Sequence, residues 1–580
     1  MTTTELPEFL MSVEQLAIFL KGLAAVDIVA LDTESSGHDL RDGTGRVIGF
    51  SLAFDPTSGA MPPWSAYLPI SHIDYNYSEE TISQVMEIVL QKKLVMHNAK
   101  HDLVALERMG YPFHGTFYDT MLMAHLLDEN LPNKSLDYVA RKYVGEHKER
   151  SKEMQTLINA FGWGMLPAEQ VAEYAQHDAL ITYLVFRHLQ PQFEREVAAE
   201  YWDHEQRFIR TLAEIESTGV RVDPDFINSE IARGRGVMDG ISEDLGFSPT
   251  RLTELGTYLL STLNLPVLKT TPAGRPSFDR KTMEKYDVLL EDLGNPTARM
   301  LLTYRGWQKV VSSTYEPLLQ LVSPDGRVRP NFKIHGTVTG RLSCERPNLQ
   351  QIPRSSSHDW NGNAKRAFIA DPGWRLINFD YKNLEFRLAA AYAREWELIE
   401  IFNTGRDVFS EMAKSLGMER QDVKTLVYTI MFGGGAQRIA TVFNVPFPRA
   451  VDILEDFYFK YPSLRKASNK ASGMARRGKR IQIWSGRYRH FADAEQEAHK
   501  AFNSMIQGGA ADIVKRQISR VHSALDPSEA RIVLTVHDSL VVEIKDDKVD
   551  ALTPDIKALM ETVVPSFGVK FEVETEPWTK

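Results

Sequence analysis

Arg420-Gln-Asp-Val-Lys424-Thr-Leu-Val-Tyr428-Thr-Ile-Met-Phe432-Gly433 carries its distinctive side chains four apart. At about 100° per residue, a helix brings Arg420, Lys424 and Tyr428 onto one face within about 80° of arc. Two cations and an aromatic plane on one face suit a triphosphate and a base. The Arg fork grips phosphate oxygens, Lys supplies a point charge and Tyr stacks. A lone Arg and Lys four apart would read as a solvated surface. The full spacing through Phe432-Gly433 is much rarer.

The chain has 580 residues, 43% hydrophobic and 25% charged. That is ordinary globular composition, enough for several domains with proper cores. One cysteine, Cys344, excludes an intrachain disulfide and a cysteine-based zinc site, and fits a reducing compartment. No apolar run reaches the roughly 18 residues of a membrane helix, and no basic-then-apolar leader is seen. The start, Met-Thr-Thr-Thr-Glu-Leu, reads as a mature cytosolic N-terminus, so a cytoplasmic location without a membrane role is expected. Net charge is −10, which alone weighs mildly against nucleic acid. The stretch from Leu464 to Phe491 is different. It holds no acid, but it holds Arg465, Lys466, Lys470, Arg476, Arg477, Lys479, Arg480, Arg487 and Arg489, with Trp484 and Tyr488 among them. It is expected to track phosphates.

The front of the chain reads as α/β. Ser12-Val-Glu-Gln15 is a capping box. An apolar strand from Ile28 to Leu31 ends in Asp32-Thr-Glu34, and further strands follow at Val47–Phe54 and Ala66–Ile70. Asp32 and Glu34, two apart, point to one side of a strand. Asp102 follows a strand at Leu94–His97. Asp178 lies on a helix with Tyr174 one turn earlier. Hard divalent cations prefer such oxygen ligands, and two of them can activate a water and stabilise a leaving 3′ oxygen. Tyr174 is placed to orient that water. Further on, Asp380 falls where a strand Trp374–Phe379 meets a helix, and Asp538 at the tip of a hairpin around His537-Asp538-Ser539. Two carboxylates there can hold two Mg²⁺ ions for phosphoryl transfer.

Taken in order, these motifs resemble family A DNA polymerases, the group of bacterial DNA polymerase I and its phage relatives. The match spans about residue 28 to residue 545. The resemblance implies an α/β and α+β multidomain chain, with a ribonuclease-H-like exonuclease domain followed by a right-hand polymerase. The expected boundaries are 1–192 for the 3′–5′ exonuclease, 193–322 for thumb and connecting helices, 323–392 for the first part of the palm, 393–490 for the fingers and 491–580 for the rest of the palm. Asp32, Glu34, Asp102, Asp178 and Tyr174 match the proofreading site. Asp380, Asp538 and the Tyr381 carbonyl match the polymerase metal site. Two Mg²⁺ are implied in each, with Mn²⁺ able to substitute. Arg420, Lys424, Tyr428 and Phe432 match the nucleotide helix, and Glu385 the position that excludes a ribose 2′-OH. Arg341, Asn348, Gln350, Asn503, Gln507 and His537 match DNA contacts. A donor such as Arg341 in the minor groove checks pair shape, because acceptors there occupy similar places in every pair.

Four residues depart from the family pattern. Ser539 stands where Glu is usual, Phe432 where Tyr is usual, Phe409 where a His often reaches the triphosphate, and His499 where Arg is often found. They bear on rate and fidelity, not on reaction class. No 5′ nuclease domain and no long thumb insertion for a processivity factor is expected. The implied partners are primer-template DNA, dNTPs and replisome proteins such as a helicase-primase and a single-strand-binding protein, with the chain acting as a monomer. Compact size, proofreading and Tyr428 together suggest a phage replicative enzyme, with a bacterial repair enzyme as the open alternative. Two alternatives stay open: an exonuclease whose polymerase half only binds DNA, and a non-catalytic DNA-binding scaffold. Family members with Tyr at position 428 accept dideoxynucleotides, because its hydroxyl replaces a contact of the 3′-OH. Single-nucleotide incorporation is therefore expected to favour dTTP over ddTTP by well under about a thousandfold. A larger preference overturns that expectation.

Overall fold

Backbone pairing, more than side-chain polarity, sets the length of the strand that starts at Ile28. The sequence reading ends it at Leu31, before Asp32. In the computed structural model it runs to Ser36, because the strand Arg46–Phe54 pairs with it from Ala30 to Ser36, setting Asp32 opposite Ser51 and Glu34 opposite Gly49. Gly49 is needed there, since a Cβ would fall on the ring of Tyr67. Five strands form this sheet in the order Trp64–Pro69, Arg46–Phe54, Ile28–Ser36, Lys93–Met96, Phe117–Asp119. The first three are antiparallel, and the last two join in parallel. Val47 to Phe54 are all buried, as in a strand covered on both faces. The capping box is present: Gln15 N donates to Ser12 Oγ and Ser12 N to Gln15 Oε1.

Residues 11–37, 39–57, 59, 63–145, 152–291, 293–353, 363–561 and 565–579 are described. The opening Met-Thr-Thr-Thr-Glu-Leu lies outside them. The chain divides into two units, one of Met1–Thr218, Phe332–Ser343 and Ile377–Glu576, the other of Gly219–Asn331, Cys344–Leu376 and Pro577–Lys580. No described helix is long and apolar enough to cross a membrane.

In the first unit, the helix Ala168–Glu196 packs its apolar stripe (Val171, Ala175, Ala179, Phe186) onto the five-stranded sheet. Asp74 caps it by accepting from Ala168 N at 3.0 Å. It runs on through Pro191 to Glu196, past the expected boundary at 192. A second sheet has the order Ala530–Val536, Ser539–Lys545, Trp374–Tyr381, Val573–Pro577. The helix Ala501–Ala524 is buried along most of its length and packs against Leu384–Ala393 and Ala199–Thr218. Five helices between Val408 and Gly478 follow the helical reading of that region. Two elements differ from the sequence reading. The helix Val549–Glu561, which has Pro554 inside it, was not foreseen. The last strand, expected at 569–575, is Val573–Pro577.

The basic stretch is also corrected. Arg480–Gln482 and Tyr488–His490 form a hairpin, and Arg487 and Arg489 are buried in it instead of facing phosphates. A guanidinium out of water needs a carboxylate and further acceptors. Arg487 Nε meets Asp512 at 2.9 Å, and Arg489 Nη1 meets Glu129 at 2.8 Å. Glu129 also accepts from His490 N and, at 2.9 Å, from His490 Nδ1. Lys515 and Glu205 form a third buried pair at 3.1 Å.

The second unit is mainly helical, as its sequence predicts. Asp223 caps the helix Pro224–Leu245, Pro224 fills its first turn, and Gly246 ends it at φ +75°. Leu255, Leu259, Met283, Tyr286 and Leu301 share one core. Buried Arg327 ties the unit's strands together by donating to Gly219 O and Asp371 Oδ2.

Glu129→Ala would leave Arg489 buried without its carboxylate. The expected cost is roughly 3–5 kcal/mol, read as a lower midpoint of urea unfolding. A loss below about 1 kcal/mol would show that the pair behaves like a solvated surface one.

Candidate functional site

Asp32 and Glu34 lie two apart on one strand, so both face the same side. The helix Ala168–Glu196 brings Asp178 to them. One ligand oxygen from each of the three lies within 4.8 Å of the others. Glu34 and Asp178 are buried and Asp32 is half-buried. Asp102, on the helix Ala99–Arg108, is held beside them: Oδ1 accepts from Thr33 N at 3.0 Å and from Thr33 Oγ1 at 2.7 Å. Burial, and then the charge of Asp32, push its carboxyl well above the usual range, against the pull of the Thr33 bonds. Tyr174 is half-buried one turn before Asp178, its ring centroid 5.3 Å from that of Trp163. An all-oxygen, anionic donor set fits a hard divalent cation.

Tyr67 and His72 were missed, and no local motif marks them. His72 Nδ1 faces Leu166 O at 3.0 Å, a group that only accepts, so Nδ1 carries the proton. Nε2 then accepts from the Tyr67 hydroxyl at 2.6 Å. Burial, and then the charges of Glu34 and Asp32, push the Tyr67 phenol up, so it stays neutral beside the acids. His97, which the sequence reading did not take as a ligand, bonds Thr120 Oγ1 and Lys134 O.

In the second sheet, Asp380 is exposed near the end of the strand Trp374–Tyr381. Asp538 occupies the two-residue turn between Val536 and Ser539. His537, exposed at φ +55°, takes the left-handed conformation that reverses the chain this tightly. The strand Ser539–Lys545 lies beside Trp374–Tyr381, and Tyr381 N donates to Asp538 O at 3.5 Å. The two aspartates therefore belong to neighbouring strands. Burial pushes the Asp538 carboxyl up, opposed by Arg341 and His537. Buried Glu385 is also raised by burial, and its partner is Arg341. The Tyr381 hydroxyl donates to Met560 O at 2.6 Å. Ser539 Oγ donates to Val536 O at 2.8 Å and so closes the hairpin.

The stretch from Arg420 to Met431 is a helix, and it presents its marked residues as expected. Arg420 forks onto Asp407 through Nε at 3.0 Å and Nη2 at 2.8 Å, holding the Asp407 carboxyl well below its usual range. Phe409 is buried behind this face, its ring centroid 5.9 Å from both the Arg420 guanidinium and Lys424 Nζ. The Tyr428 ring lies 5.8 Å from that of Phe432, and its hydroxyl is 3.5 Å from Asn383 Oδ1. Burial, then Glu385 and Asp538, push this hydroxyl up to about 12. Lys424, Tyr428, Phe432 and Arg438 line a cleft of about 550 Å³. Asp407, Asn383 and Arg438 were not foreseen, because nothing in their local sequence marks them. Asn503 and Gln507 lie one turn apart on the helix Ala501–Ala524. Among the described residues, Asn503 Oδ1 is buried without a hydrogen-bond partner. Asn348 and Gln350 belong to the second unit, where Asn348 caps the short turn Leu349–Gln351. His499 is exposed just before the long helix.

A family model described as DNA polymerase family A matches residues 241–578, and one described as 3′-5′ exonuclease matches residues 7–194. DNA polymerase I of Chloroflexus aurantiacus is 28% identical, over 97% of this chain and 62% of that protein. The thermostable DNA polymerase I of Thermus aquaticus is 31% identical, over 79% of this chain and 55% of its own length. The chain thus spans less than two thirds of the length of these relatives. The solved polymerase domain of Pol1 from M. smegmatis, in complex with DNA primer-template and dNTP, has the same fold, with a TM-score of 0.82 at 23% identity, covering 98% of this chain and 99% of that one.

A carboxyl whose folded pKa is raised loses stability as pH climbs from its ordinary value to its folded one; below the ordinary value nothing is lost. Asn keeps an acceptor for Thr33 without the charge. Asp102→Asn is therefore expected to raise the Tm of the metal-free protein at pH 7, with the gain vanishing below about pH 4. Thermal unfolding in EDTA across pH reads this, and an unchanged or lower Tm at pH 7 refutes it.

Proposed function

Because the chain belongs to DNA polymerase family A, we propose that it copies a DNA template by adding deoxynucleotides to a primer 3′ end and proofreads with a 3′–5′ exonuclease. The observation that carries the polymerase reading is geometric: the Tyr428 hydroxyl on the nucleotide helix lies 3.5 Å from Asn383 Oδ1, at the start of the helix that carries Glu385 and just after the strand that carries Asp380.

In this reading Asp380, Asp538 and the Tyr381 carbonyl would hold two Mg²⁺, and Asp32, Glu34, Asp102 and Asp178 would hold two more, with Mn²⁺ as a substitute. Bound metal supplies Lewis acidity that readies the primer 3′-OH or a water as nucleophile and steadies the leaving group. The chain's own residues do the rest. Arg420 and Lys424 grip the triphosphate, and Tyr428 and Phe432 pack against the base and sugar. Glu385, held by Arg341, fills the space of a ribose 2′-OH. Arg341, Asn348, Gln350, Asn503, Gln507 and His537 contact primer-template DNA. Tyr174 orients the water that attacks in the exonuclease site.

In the same reading the domains are exonuclease 1–192, thumb and connecting helices 193–322, palm 323–392 and 491–580, and fingers 393–490. The chain acts as a monomer in the cytoplasm alongside replisome proteins. Tyr428 together with proofreading favours a phage replication role. The reading of an exonuclease with a DNA-binding polymerase half draws on one observation, the Ser539 hydroxyl turned into its own hairpin where the family has an acid.

A 5′-labelled primer on a longer template with Mg²⁺ separates these readings. Extension is expected with dNTPs and shortening without them. Asp380→Ala should lower extension by about a thousandfold or more while shortening persists. Shortening in both lanes for the unmodified protein would hand the function to the exonuclease alone.

A further inference from the structure

Arg487 is 4% exposed and its partner Asp512 is 2% exposed. Its Nε lies 2.9 Å and 3.1 Å from the two Asp512 oxygens. Its Nη2 reaches away from Asp512 and donates to Thr339 O. The guanidinium is clasped between two glycines. A Cβ on Gly340 would come within 2.6 Å of Nη2, and a Cβ on Gly508 would do the same. Gly340 also has φ +83°, where other residues are strained.

These two glycines have informative neighbours. Gly340 directly precedes Arg341, and Gly508 directly follows Gln507. Asp512 lies on the same helix as Asn503 and Gln507. One planar cation thus joins the backbone beside the primer-side minor-groove residue to the helix that carries the template-side ones. The loop is further fixed by Thr337, whose hydroxyl donates to Arg341 O at 2.8 Å. The fork serves the two ends from different nitrogens, Nε on Asp512 and Nη2 on Thr339 O; a Lys would have to meet both from one nitrogen, without the planar geometry that fixes their spacing.

From this geometry we infer that Arg487 is a positioning residue, which sets the spacing between Arg341 and the Asn503/Gln507 pair and thereby the ability to reject a mismatched primer end. The inference rests on the proposed roles of Arg341, Asn503 and Gln507. Minor-groove acceptors of correct pairs occupy similar places, so donors at a fixed spacing detect a pair of the wrong shape. Donors free to move by about 1 Å would follow a distorted pair and lose the distinction. Arg487 meets neither DNA nor nucleotide in this role; it acts through the two backbones it ties.

The test compares extension of matched and mismatched primer ends in an Asp32→Ala background, so that proofreading does not remove the mismatch. Arg487→Lys is expected to lower the matched-to-mismatched ratio of kcat/KM by about tenfold while changing matched extension less. Gly508→Ala, whose methyl meets the guanidinium, Ile483 and Thr339 O, should do the same without altering the buried charge pair. In the unsubstituted background, shortening of single-stranded DNA by both variants should be unchanged, which shows that they are folded. Arg341→Ala should lower the ratio too, and combined with Arg487→Lys should add little, as for residues that act as a unit. If Arg341→Ala lowers the ratio and both the Arg487 and Gly508 variants keep it within about twofold, the positioning role is wrong. If Arg341→Ala and Gln507→Ala leave the ratio unchanged, the minor-groove reading itself is wrong.

Discussion

Negative charges that must sit together are the constraint on which the rest of this structure depends. At about 4 Å and an effective dielectric of about 20, each pair of unit charges repels by about 4 kcal/mol. Asp32, Glu34 and Asp178 approach within 4.8 Å, so without metal they would drift apart on any flexible support. Each is therefore fixed by backbone. The ladder to Arg46–Phe54 locks Asp32 and Glu34 in register. Asp178 rides a long helix whose start is held by Asp74 and whose face is packed on the sheet. Asp102 is held by two bonds from Thr33, which lies between the other two acids on the strand. The second sheet uses a different device. Asp538 occupies a turn too tight to relax, and its carbonyl accepts from the residue after Asp380. In the front sheet the rigid ladder carries this repulsion, and in the second it sets Asp538 on the strand beside the one that carries Asp380.

The cations divide into two populations, which composition alone does not separate. Arg487, Arg489 and Lys515 are buried, each on its own carboxylate. Removing one partner of such a pair leaves an uncompensated charge, so these residues hold the fold together. Lys466, Lys470, Arg476, Arg477 and Lys479 are exposed along and just after the helix Pro462–Gly478. The phosphate-tracking expectation narrows to them. A net charge of −10 thus averages over a chain with both buried, paired cations and an exposed basic helix.

What could be read in advance was local. The spacing from Arg420 to Phe432 needs only helical periodicity. Asp32 and Glu34 need only the two-residue period of a strand, and the turn at His537-Asp538 announces itself by polar residues between two β-rich arms. What could not be read depends on partners distant in sequence. Asp407 is thirteen residues from Arg420, and the bond between them depends on where two helices cross. Glu129 and Arg489 are 360 apart, so the same arginine reads as a phosphate contact in sequence and as a core residue in the fold. The strand carrying Asp32 runs past its apolar part because its neighbour supplies the bonds. The helix Val549–Glu561 continues through Pro554, with its apolar face, Ile556 and Met560, buried in the unit.

Arg420 shows how a binding group can be preset without being spent. Its fork is already shaped on the Asp407 carboxylate, bidentate in the way it would meet two phosphate oxygens. Both partners are well exposed, 51% and 38% by side chain, and an exposed ion pair is worth at most about 1 kcal/mol. A triphosphate carries several charges and would compete for the fork at little loss. Asp407 does not need the arginine to keep its place, because it also caps the helix Val408–Leu416 by accepting from Ser410 N at 2.7 Å. Phe409, standing where the family often has a His, sets its ring 5.9 Å from the Arg420 guanidinium and Lys424 Nζ and adds no third donor. Under the proposed function the departure would leave triphosphate binding to Arg420 and Lys424, with the Arg420 fork already aligned on Asp407.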